Sequence, residues 1–150
     1  MKLAEALQER ADLNRAIEQL SGRLGSNALV QEGETTAEDP EELLGQLDAA
    51  VERLEELMAR INLTNCQTFS DGVSITALLA KKDCLRLKLN AYKNLAYEAS
   101  QTARRASRTE IKVLSAVDVR RVQREADRLS AELRRTDNAI QALNWSTELL

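Results

Sequence analysis

The chain is 150 residues long, 43% hydrophobic and 30% charged, with a formal net charge of −3. That balance excludes a disordered chain, is sufficient for the core of one domain, and singles out no partner by overall charge. One proline, five glycines and only four aromatics (Phe69, Tyr92, Tyr97, Trp145) leave the apolar content to Leu, Ala, Val and Ile, the composition of a helix former.

Four segments repeat apolar residues at alternating spacings of three and four, which places them on one side of a helix. The first row is Leu3, Ala6, Arg10, Leu13, Ile17, Leu20 and Leu24. The second is Leu44, Leu47, Val51, Leu54, Met58 and Ile61, widened by Leu43, Ala50 and Leu57. Its start carries the clearest local signal: Asp39 as cap, Pro40 at the first helical position and Glu42 where a capping box wants an acceptor.

The third row is Ile75, Leu78, Lys82, Leu85, Leu89, Tyr92, Ala96, Ala99 and Ala103, broadened by Leu79 and Leu95. The fourth is Val119, Val122, Ala126, Leu129, Leu133, Thr136, Ile140 and Leu143, with Asp118 as its cap. Arg10 and Lys82 interrupt apolar rows, where polar residues either fix register or reach out to the rim. Among the connectors, Asp71-Gly72 is a turn signal. Ala28-Leu29-Val30 is an apolar triplet expected to be covered instead of left in water, and Ile111-Lys112-Val113-Leu114 is β-prone; an up-down-up-down bundle brings their connectors to one end, so a short strand pair is expected between them.

These patterns predict an all-α fold: antiparallel helical hairpins or a four-helix bundle with heptad seams, with a small β element at one end. One domain covers 1–150, with helices near 2–24, 40–65, 75–106 and 119–145.

Cys66 and Cys84 lack metal-site spacing and read as reduced thiols of a cytoplasmic protein. Charge appears within the first five residues and no apolar run reaches membrane-spanning length, so neither a signal peptide nor a membrane partner is expected. Without histidine, the usual general base and the common nucleophile pairs are missing, and no phosphate-binding glycine loop is present. Glu52, Glu55 and Glu56 have the Glu-x-x-Glu spacing of magnesium-binding helices, but their rows face outward and no matching acidic pair occurs in the third or fourth segment.

Charge is segregated along the chain. Glu32 to Met58 holds ten acids and one base, whereas Arg104 to Arg124 holds seven bases and two acids. Arg104, Arg105, Arg108, Lys112, Arg120, Arg121 and Arg124 are therefore candidate contacts to an anion or nucleic acid, although no aromatic side chain offers a stacking platform among them. Trp145, just beyond the last residue of the fourth row, is a candidate interface residue expected to dock on another helix or a neighbouring subunit.

The residues Asn27-Ala28-Leu29-Val30-Gln31-Glu32-Gly33, Glu38-Asp39-Pro40, Glu110-Ile111-Lys112 and Asn144-Trp145-Ser146-Thr147-Glu148-Leu149 resemble small bacterial helical proteins labelled "septicolysin". The likeness spans essentially the whole chain and implies a helical fold, with no assigned activity and no catalytic residues. The third helix departs from the pattern, since Ser74-Ile75-Thr76 is followed by Ala77 instead of an acid. The label names a cytolysin, but the chain shows neither an apolar export core nor a long insertion segment.

The sequence thus reads as a non-enzymatic oligomeric interaction or scaffold protein with no cofactor, its partner a second copy of itself. The alternative is a nucleic-acid or phosphometabolite binder using residues 104–124; a magnesium-dependent carboxylate enzyme is a third reading.

Overall fold

The computed structural model describes residues 1–102 and 111–150. Within these the architecture is all-α apart from one short hairpin: α1 (Leu3–Ser26), α2 (Pro40–Gln67), β1 (Phe69–Ser70), β2 (Val73–Ser74), α3 (Ile75–Ala99) and α4 (Val119–Ser146). No helix among the described residues is long and apolar enough to cross a membrane. The chain divides into two compact units, one comprising Met1–Ser74 with Leu143–Leu150 and the other Ile75–Ala142.

In the first unit α1 and α2 form an antiparallel hairpin. Asn27, buried at the end of α1, donates from its side-chain amide to the Arg23 carbonyl and accepts from the Glu38 N–H at 3.0 Å. The Arg23 guanidinium grips the Glu38 carboxylate, so the long connector is pinned just before α2. Asp39 then caps α2 by accepting from the Glu41 N–H at 3.0 Å, with Pro40 in the first turn.

The register of α2 differs from the expected seam. The residues turned inward are Leu43, Leu57, Ile61 and Thr64, whereas Leu44, Val51 and Met58 remain 41–45% exposed. Two apolar rows overlap on this helix; the one that buries Leu43 and Leu57 packs inward, and the Glu9–Arg53 ion pair matches that register. With Leu44, Val51 and Met58 facing α1, Arg53 would stand on the opposite side of α2 from Glu9.

After α2 the chain turns through a two-residue hairpin. Phe69 pairs with Ser74 and Ser70 with Val73 around Asp71-Gly72, both at positive φ (51° and 78°). That backbone matches the right-handed strand twist, and glycine tolerates it without a Cβ clash. This is the small β element. The strand pair expected between Ala28–Val30 and Ile111–Leu114 does not form: neither segment is a strand, and Leu29, Ile111 and Leu114 are 75–91% exposed. β-propensity measures fit to a half-buried pleated surface, and these segments have no such surface to fit.

The first unit is completed by the far end of the chain. The Leu3 N–H donates to the Thr147 carbonyl at 3.0 Å and the Leu149 N–H to the Met1 carbonyl at 2.9 Å, an antiparallel bridge centred on Lys2 and Glu148. The Thr64 hydroxyl is buried. It donates to the Arg60 carbonyl at 2.8 Å and accepts from the Leu150 N–H at 3.0 Å, while Arg60 Nε donates to the Leu150 carbonyl at 2.7 Å.

In the second unit α3 and α4 pack antiparallel around Leu85, Leu89, Ala126 and Leu129, with Tyr92 and Leu133 against them. These residues lie on the expected rows. Asp118 caps α4 by accepting from the Arg121 N–H at 3.1 Å. α3 stops at Ala99, short of the expected end near 106, with the Ser100 N–H turning back to the Tyr97 carbonyl. Ala103, the last residue of the expected third row, lies outside the described residues.

Candidate functional site

The acidic face of α2 resolves into two sets. Glu56 lies between two arginines, 2.9 Å from Arg53 Nη1 and 3.5 Å from Arg60 Nη1. Arg53 also donates from Nε to Glu9 at 2.7 Å; this hydrogen bond is the main reason the Glu9 carboxyl titrates below its ordinary value and the guanidinium above its own. Glu52 and Glu55, with Asp48 a turn earlier, are exposed and enter no ion pair among the described residues. Glu52, Glu55 and Glu56 therefore do not converge: the described residues hold no group of three carboxylate or thiol side chains placed to share a metal ion. Asp48, Glu52 and Glu55 instead border the exposed row Leu44, Val51 and Met58.

Cys66 and Cys84 are both exposed, and neither is in a disulfide. Arg10 is half-buried at its expected place in the first row. Lys82 reaches the rim of the α3–α4 seam and pairs with Asp137, whose carboxyl its hydrogen bond holds below the usual range. On the opposite rim Lys81 pairs with Glu132 at 3.0 Å. The two pairs bracket the leucine seam and fix the alignment of α3 with α4, and neither forms a reactive centre.

Of the candidate anion contacts, Arg104, Arg105 and Arg108 lie outside the described residues. Lys112 is exposed in a segment without regular structure. Arg120, Arg121 and Arg124 stand exposed on the first turns of α4, and none enters an ion pair among the described residues. The structure groups the arginines differently from the sequence window. Arg121, Arg124, Arg128 and Arg135, spaced by three, four and seven, share one exposed side of α4. Arg128 is the anchored member, held to Glu125 at 2.7 Å and Glu132 at 3.2 Å. Heptad spacing was the signal for this row; charge density along the chain hid it by stopping at Arg124.

Trp145 is 63% exposed, so the described residues of its own unit leave most of the indole uncovered; the expectation of a neighbouring subunit is a matter of association. A hollow of about 220 Å³ lies at the end of α3, lined by Leu95, Glu98, Ala99 and residues 113–117 among others. It is open and mainly apolar, and offers no convergent set of reactive groups.

Residues 10–149 match the model of a family described as a family of unknown function (DUF6847). The chain belongs to DUF6847. A crystal structure described as a functionally unknown conserved protein from Corynebacterium diphtheriae is similar to this DUF6847 chain at 40% identity, with a TM-score of 0.92, over 100% of this chain and 99% of that one. No curated protein matches.

Proposed function

We propose that this DUF6847 chain is a non-enzymatic, self-associating helical interaction protein of the cytoplasm. One observation carries the reading: the regular apolar row Leu44, Val51 and Met58 lies open on a helix whose adjacent row buries Leu43 and Leu57. Scattered exposed leucines are ordinary on any surface, but a row at heptad spacing is the pattern of a helix that meets a further helix. The two-helix units support it, because a hairpin covers one seam per helix and α2 and α3 carry more. The cytoplasmic part rests on two exposed thiols outside disulfides. The kinship to septicolysin-labelled proteins belongs to the same proposal and assigns no residue a role.

Gel filtration with light scattering tests the reading. It expects a mass that is a multiple of 16.7 kDa at micromolar concentration. A monomer mass there contradicts it.

A second reading has its own observation, the exposed Arg120, Arg121 and Arg124 at the start of α4, which enter no ion pair among the described residues. In that reading they contact phosphate groups of a nucleic acid or phosphometabolite. The parent should then retain nucleic acid or polyphosphate with a salt-dependent affinity, and changing the three to serine should lower both affinity and salt slope. Absence of binding by the parent at low salt ends it.

A further inference from the structure

We propose that the acidic-edged apolar row of α2 docks against the basic-edged apolar face of the α3–α4 hairpin of a second copy of this chain. The inference rests on the self-association reading and names the two surfaces it uses.

The first surface is on α2. Leu44, Val51 and Met58 are 41–45% exposed and recur every seventh residue, so they form a straight ridge. Asp48, Glu52 and Glu55 run along its solvent edge, exposed and without ion pairs among the described residues. The ridge therefore joins apolar surface to three negative charges that no described residue pairs.

The second surface is on one face of the α3–α4 hairpin. Ala80, Cys84, Leu87, Ala91 and Leu95 form a row on α3, spaced by three or four residues and turned away from the buried Leu85–Leu89 seam. Leu87 is 71% exposed and Leu95 44%. The short side chains between them leave a shallow trough in which a ridge can seat.

Beside this trough runs the arginine row of α4. The Lys81–Glu132 pair joins the two helices on this side, and Lys82–Asp137 joins them on the other, so the trough and the arginines share a face. Among the arginines of this row Glu125 and Glu132 form ion pairs with Arg128 alone, Glu132 also holding Lys81; Arg121, Arg124 and Arg135 enter no ion pair among the described residues.

The surfaces match in three respects. Both are apolar along the centre. Their uncompensated charges are opposite, acidic on α2 and basic on α4. Their lengths agree as well: at ~1.5 Å per residue, Leu44 to Met58, Ala80 to Leu95 and Arg121 to Arg135 each span about 21–23 Å. Opposite charge chooses partner and register, while the apolar contact supplies the attraction. A polyphosphate chain would use the arginines but leave Leu87 and Leu95 in water, and phosphate repels α2. A second copy satisfies every component of both surfaces.

The test uses the full chain and three variants: Leu87→Glu, the pair Glu52→Arg with Glu55→Arg, and the pair Arg124→Glu with Arg135→Glu. All five positions are exposed, and circular dichroism should show unchanged helicity in each variant. The parent should run as an oligomer by light scattering, and each variant should dissociate at least about 10-fold more readily. Mixing the two charge-reversed proteins should restore assembly, because each then offers the other its complement. Peptide mapping of alkylation should show Cys84 protected in the parent and labelled rapidly in Leu87→Glu. If the parent assembles but the variants assemble equally well and Cys84 stays reactive, self-association survives and this surface is refuted. A monomeric parent at ~100 µM refutes both. Assembly that appears only when nucleic acid is added also refutes this surface.

Discussion

The packing of α2 yields a prediction in which neighbouring residues behave oppositely. Leu57 is 0% exposed and Met58, the next residue, is 45% exposed. Leu57→Ala removes three carbons from a closed interior, about 2.4 kcal/mol at roughly 0.8 kcal/mol per buried methylene. A residual cavity on the order of 50 Å³ adds about 1.2 kcal/mol at ~24 cal/mol per Å³, for a total of about 3.5 kcal/mol. Met58→Ala, with half its side chain already in water, should cost about 1 kcal/mol. Both changes belong in the Leu87→Glu background at one protein concentration, so that association does not enter the measured stability. Urea unfolding followed by circular dichroism reads the difference. At a slope of about 2 kcal/mol per molar, Leu57→Ala should lower the midpoint by about 1.7 M and Met58→Ala by about 0.5 M. Equal shifts, or a larger one for Met58→Ala, would refute the assignment of Leu57 to the core row.

Further outcomes follow from other contacts. Thr64→Val leaves the Leu150 N–H without its buried acceptor; it should cost about 1–2 kcal/mol and speed amide exchange at Leu149 and Leu150, and unchanged exchange would show that the hydroxyl does not hold the tail. Glu9 and Glu38 both titrate below 4.5, chiefly through hydrogen bonds from Arg53 and Arg23. A lowered folded pKa gives stability that is complete above the unfolded value and lost as pH falls through the folded one, so the urea midpoint should fall below about pH 4.5. Glu9→Gln should lose less of its midpoint between pH 6 and pH 3 than the parent; an identical loss would contradict the pairing. Trp145, 63% exposed, should emit close to free tryptophan and quench readily with acrylamide in the Leu87→Glu variant, and a blue-shifted, protected indole there would contradict its placement.

Much of the fold was legible because the local signals were redundant. α4 has a cap at Asp118 and one row, apolar but for Thr136, and its buried residues Val122, Ala126, Leu129, Thr136 and Ile140 lie on that row, with the buried Asn144 just beyond it. α2 has an equally clear start at Asp39-Pro40 but two apolar rows one residue apart. Periodicity alone could not choose between them; the tertiary packing that buries Leu43 and Leu57 did, with Glu9 and Arg53 paired in the matching register. The Asp71-Gly72 turn could be read because its backbone requirement is local, whereas a strand at Ile111–Leu114 required a partner edge that does not form. Thr64 gave no sign of its role, since its partner Leu150 lies 86 residues away. For the surfaces, the acids of α2 stood out as a run, but their lack of counter-charge became visible only once Arg53 and Arg60 were seen to serve Glu9 and Glu56.

The closure of the first unit by residues 147–150 has a consequence for how the protein is made. Ribosomes deliver α1, α2 and the Phe69–Ser74 hairpin early, and that hairpin of helices has only local contacts to form. Its last hydrogen bonds, from Leu3 to Thr147 and from Leu150 to Thr64, wait until every residue of the second unit has been synthesised. During that interval Thr64 lacks its Leu150 donor, and the main chain of Met1 and Leu3 lacks the partners at Leu149 and Thr147. A chain arrested anywhere before residue 147 therefore carries an unfinished first unit however well α3 and α4 have packed. Completion of that unit thus requires synthesis through residues 147–150.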